Sequence, residues 1–104
     1  NAGGGKYGLI EVDFRSRGGQ SRAAKIAKQF ATDLLALGGD CRIKTLQPDE
    51  RGFVCIAGIF AGPANLCAVL IEPFFIDSVH HVDLKTRDGL IRVGQSLGRG
   101  LLAP

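Results

Sequence analysis

No apolar run in the 104-residue chain reaches the roughly 18 positions that a membrane-spanning helix needs, so no membrane partner is expected. No signal-peptide pattern opens it. Cysteine is scarce: there are three, an odd number, with no CxxC pair. That argues against a disulfide framework and a paired-cysteine zinc site, and for reduced thiols in a cytoplasmic protein. Cys41, Cys55 and Cys67 each sit inside an apolar pattern and read as buried structural thiols. The phosphate-loop signatures GxGxxG and GKS/GKT are missing. So is an RNP1-like run of glycine, aromatic and basic residues. Charge of one sign is in small excess: 13 Lys and Arg against 10 Asp and Glu, a net of +3. Such an excess permits an anionic partner without demanding nucleic acid. No cofactor and no metal are expected, and no internal repeat is visible.

What is present is ordinary for a folded domain. The chain is 45% hydrophobic and 22% charged, enough apolar material for one core over residues 1–104. Asn1 and Ala2 read as the remnant of a cleaved tag, and Gly3 to Gly5 as a flexible lead-in, so residues 1–5 stand outside the fold.

The strongest pattern lies between residues 6 and 39. A strand from Lys6 to Phe14 alternates, with Ile10, Val12 and Phe14 on one face and Leu9, Glu11 and Asp13 on the other. A basic glycine loop, Arg15 to Ser21, follows. Then Ala23, Ile26, Ala27, Phe30, Leu34 and Leu37 recur at helical spacing, which predicts a helix from about Arg22 to Leu37. Ser21 is its expected N-cap, and Gly38-Gly39 its stop. Residues 40–46 alternate again, with Arg42 and Lys44 suiting a sheet edge. Pro48 and Gly52 punctuate a turn. Phe53 to Phe60 reads as a central strand. Ala61 to Glu72 reads as a helix, with a strand reading competing because Val69, Leu70 and Ile71 are β-formers. A strand from about Ile76 to Lys85 follows, with Leu90 to Val93 as a hairpin partner. The tail from Gly94 is expected to be irregular or a short helix.

The order βαββαβ predicts an α+β, ferredoxin-like sandwich: a four-stranded antiparallel sheet with two helices on one face and an added C-terminal strand. Helices on one face would leave the other too apolar for water. A cover is therefore expected, from a second copy, a neighbour's tail or the chain's own C-terminus, and a homodimer is the commonest solution.

Two places could carry chemistry. Arg15, Arg17, Arg22, Lys25 and Lys28 fall between Phe14 and Thr32 with no acid among them. Free amides at a helix start, glycines and arginines together make an anion site of Arg15, Arg17, Gly18, Gly19, Ser21 and Arg22. The plainer reading is a glycine turn feeding a solvated basic face. The second place is the sheet face, where His81 and Asp83 would lie beside Glu11 and Asp13 and serve as acid or base. Its plainer reading is a wet, charged edge. Nucleic acid fits poorly. Phe53 could serve as a platform residue and Tyr7 lies at the strand's beginning, but Glu11 and Asp13 would repel phosphate.

The expectation is thus a small ligand- or partner-binding domain, homodimeric, taking a small anion at the Arg15–Ser21 loop. The alternatives are a dimeric α/β-barrel-type enzyme built on His81, Glu11, Asp13 and Asp83, and a structural interaction module.

Overall fold

A computed structural model of the chain describes residues 4–55 and 68–104. Its elements are β1 (Gly8–Asp13), α1 (Arg17–Leu34), β2 (Cys41–Leu46), β3 (Leu70–Glu72) and α2 (Arg87–Leu102). β1 and β2 run parallel, from Gly8 opposite Cys41 to Asp13 opposite Leu46. β3 runs antiparallel on the other side of β1, with Leu9 opposite Glu72 and Glu11 opposite Leu70. Among the described residues the sheet is three-stranded and mixed, in the order β2-β1-β3. A parallel neighbour requires a crossover, and α1 supplies it.

The stripe on α1 is as its spacing predicts. Ala23, Ile26 and Phe30 are fully buried, Leu34 almost so, and Ala27 and Leu37 pack at their edge. With Ile10 and Val12 of β1 they form the core. The helix starts earlier than expected, at Arg17. Ser16 is the cap, its Oγ accepting the Gly19 amide at 2.9 Å, and Ser21 lies exposed inside the helix. A 3-10 turn, Leu35–Leu37, carries the chain to Gly38, whose φ of 84° is the left-handed conformation that glycine admits freely.

The ferredoxin-like, four-stranded antiparallel sheet is not formed; only the α+β class holds. Three stretches read as strands are something else. Phe53–Cys55 is helical, and the rest of the expected strand, 56–60, lies outside the described residues, as does most of the expected helix 61–72. Leu70–Glu72 at that helix's end is β3, as the β-forming side chains favour. Residues 76–85 fold as two 3-10 turns, Val79–His81 and Asp83–Lys85. Phe75, Ser78, His81 and Leu84 are buried, a period of three that matches three residues per turn and not a strand's two. The expected hairpin partner Leu90–Val93 and the tail belong to α2, which is capped by the Thr86 hydroxyl accepting the Gly89 amide.

α2 packs on α1. At Gly100 a β-carbon would lie 2.7 Å from the Ile26 Cα, so the helices meet backbone to side chain. Asp33 of α1 accepts from Arg99 of α2 at 2.8 and 3.2 Å, and Gln29 with Arg99 holds its carboxyl down at about 2. Within the expected lead-in, Gly4 is engaged, its amide donating to Asp77 at 2.9 Å, while residues 1–3 lie outside the described residues.

The far sheet face, carrying Leu9, Glu11 and Asp13, is met by the chain's own turn after β2. Gly52 lies against Glu11, Leu46 and Leu70, and the Phe53 ring stands 6.3 Å from Phe14.

Candidate functional site

On that face β1 sets Glu11 between Lys44 of β2 and Leu70 of β3, with Glu72 one diagonal step away. These side chains, with Arg51, Gly52 and Cys55 of the overlying turn, line a pocket of about 620 Å³. Glu11 is only 7% exposed. Its side chain makes no hydrogen bond or close ion pair with any described residue. Lys44, its register partner, reaches Glu50 instead, Nζ to Oε2 at 3.6 Å. Burial raises the Glu11 carboxyl above its ordinary 4.5, and the neighbouring Glu72 charge adds to this; Lys44 opposes. The floor of the pocket thus carries a largely buried carboxylate that makes no hydrogen bond or close ion pair with a described residue and opens to the pocket.

The sequence-predicted residues divide among several surroundings. Asp13 is 1% exposed, and Arg15 clasps it: Nε and Nη2 donate at 2.9 and 2.6 Å, and the Arg15 amide adds a third bond at 2.9 Å. Those Arg15 bonds lower the Asp13 carboxyl below its ordinary value. The Arg15 guanidinium also lies over the Phe14 and Phe53 rings at 5.5 and 5.6 Å. Arg22 donates to the Gly100 and Ala103 carbonyls at 3.3 and 2.5 Å. Arg15 and Arg22 are therefore turned to different protein partners. Arg17, Gly18 and Ser21 are exposed on the first turns of α1, and the Gly19 amide is taken by Ser16.

His81 is fully buried, with the Phe74 and Phe75 rings 6.5 and 6.3 Å away. Burial lowers its pKa from the ordinary 6.5. Its Nδ1 accepts the Phe75 amide at 2.9 Å, a bond that needs the unprotonated nitrogen. None of Glu11, Asp13 and Asp83 is among the groups that shift it. Asp83 is exposed at the start of a 3-10 turn. Of the expected acid–base group, only Glu11 faces the pocket.

Among the thiols, Cys41 is buried and pushed up to about 12 by desolvation. Cys55 is exposed and lines the pocket, contrary to the buried reading; Cys67 lies outside the described residues. No three metal-ligating side chains converge among the described residues, and no described helix is long and apolar enough to cross a membrane. Arg51, Gly52, Cys55 and Glu72 were missed as site residues. The signal for Glu72 was the strand reading of Val69–Ile71, which brings it beside β1.

The chain matches no protein-family model, no curated protein and no solved structure.

Proposed function

We propose that this is a small ligand-binding domain whose binding place is the pocket between the sheet and the 47–55 turn. The observation that carries the reading is Glu11, a largely buried residue whose carboxylate lines the pocket and makes no hydrogen bond or close ion pair with a described residue. An unpaired buried charge lowers stability, and such groups are retained at sites where binding repays them. The test is a stability comparison. Glu11→Gln is expected to fold and to be more stable than the parent, because the desolvated charge beside Glu72 is removed. A clear loss of stability would mean that Glu11 is a structural group, and would end the reading.

A homodimer is the second reading, and one observation favours it. Leu90, Ile91 and Leu101 of α2 are each about half exposed, and nothing lies within 4 Å of a β-carbon built at Gly94 or Gly98. Spacings of three, four and seven place these residues on one side of the helix. A second copy packed through this stripe would bury apolar surface on both chains by one two-fold contact. Sedimentation of the parent as a dimer, and of Leu90→Lys with Leu101→Lys as a monomer, is expected. A monomeric parent removes this reading.

A further inference from the structure

We propose that the Glu11 pocket takes a small organic cation by a single primary ammonium group, an inference that rests on the reading of this pocket as a ligand site.

The charges around the pocket select the ligand. Glu11 stands on β1, Glu72 on β3, and Glu50 and Arg51 on the turn; Lys44 stands on β2 and Cys55 follows the turn. The described groups thus include three acids and two bases. One pair is already made, Lys44 with Glu50. What remains is Glu11 and Glu72, with Arg51 in the same lining. One positive charge on the ligand brings this set to neutrality, whereas a second would meet Arg51.

The form of the cation follows from the floor. Glu11 and Glu72 sit on adjacent strands, diagonal to one another on one sheet face, and both line the pocket. An ammonium has three donors and serves two carboxylates with one to spare for water. A divalent metal would need more ligands than converge here among the described residues. The apolar part of the ligand has Leu70 beside Glu11 to lie against. Gly52, with φ of 93°, brings its backbone close to the Glu11 carboxyl and leaves no side chain in the opening.

Binding of this kind is coupled to the Glu11 proton. The ammonium pairs with the charged carboxylate, so affinity rises as pH passes upward through the Glu11 midpoint. Glu72 and Glu50 add attraction, while Lys44 and Arg51 oppose it.

The test uses the whole chain and three probes of one size: butylammonium, 1-butanol and butyrate. Butylammonium is expected to shift the amides of Glu11, Lys44, Gly52, Leu70 and Glu72, and to lower the Glu11 titration midpoint by about one unit, as a nearby opposite charge does. The effect is expected to vanish in Glu11→Gln and, in the parent, below the Glu11 midpoint. The parent's own pH dependence carries the test if the variant does not fold. Equal binding of butanol or butyrate at these amides overturns the ammonium inference and leaves the pocket as a ligand site. No shift from any probe overturns the inference. If Glu11 then also titrates at its ordinary value, the pocket reading falls with it.

Discussion

The backbone of Gly52 leaves no room for a side chain beside the carboxyl of Glu11: a β-carbon built at Gly52 would fall 3.1 Å from Glu11 Oε2, tighter than ordinary contact. Gly52 also has φ of 93°, where a side chain is strained. Gly52→Ala is expected to lose about 1–2 kcal/mol from backbone conformation and to press on the carboxyl beneath it. Urea denaturation of the variant checks the stability; a shift of the Glu11 carboxyl resonance checks the contact.

Glu11 also sets a pH dependence. Its folded midpoint is raised above 4.5 by burial and then by Glu72. A raised acid favours the folded state fully below the unfolded value, and this contribution is lost as pH rises through the folded midpoint. Glu11→Gln is therefore expected to gain about 1 kcal/mol over the parent at neutral pH, the difference between leaving a charged and a neutral group unpaired. That is about 4 °C in melting temperature. The gain should fade when both proteins are melted below pH 4.5.

His81 works in the opposite sense. Burial lowers its pKa below 6.5, so its contribution is present above 6.5 and is lost as pH falls through the folded value. The two residues thus contribute slopes of opposite sign, Glu11 from 4.5 upward and His81 from 6.5 downward. His81→Gln is expected to remove the loss of stability on the acid side of neutrality while lowering stability throughout. Melting curves across that window decide this; an unchanged acid slope would contradict the buried neutral imidazole.

Arg15 is expected to act as Asp13's partner. Arg15→Ala takes away two of the three bonds on a carboxylate that is 1% exposed. A loss of about 1–2 kcal/mol is expected at neutral pH. The parent holds Asp13 below its ordinary 3.8, a contribution present above that value and lost as pH falls below it. The variant should therefore show a weaker decline on acidification.

The helix pair has two sensitive points. Gly100→Val is expected to cost about 2 kcal/mol, because the added side chain meets the Ile26 backbone. Phe30→Asp places a charge in the fully buried centre of α1 and should cost at least about 4 kcal/mol. Chemical denaturation orders the two.

Much of α1 was legible because six apolar residues repeat at one period over four turns, and packing needs that period. Its start was not, because Gly18 and Gly19 suggest a loop; yet the Gly19 amide is held by Ser16, and a β-carbon there would meet that hydroxyl at 2.8 Å. α2 was hidden by Gly94, Gly98 and Gly100, poor helix formers whose presence tertiary packing overrides. Residues 76–85 misled because a short polar–apolar alternation resembles a strand, while the buried set, Phe75, Ser78, His81 and Leu84, repeats every third position. That error carried His81 away from the carboxylates expected beside it. Glu11 was legible as a carboxylate on the sheet face turned away from α1. Its pocket was not, because Gly52 and Arg51 reach it through the fold of a turn.

The most direct test of the account is a carboxyl-detected NMR titration of the parent, followed at Glu11. A midpoint above 4.5, moving downward in Glu72→Gln, is the predicted result. A midpoint at or below 4.5 would mean that Glu11 is hydrated or paired, and would contradict the central claim that this carboxylate is held in reserve for a ligand.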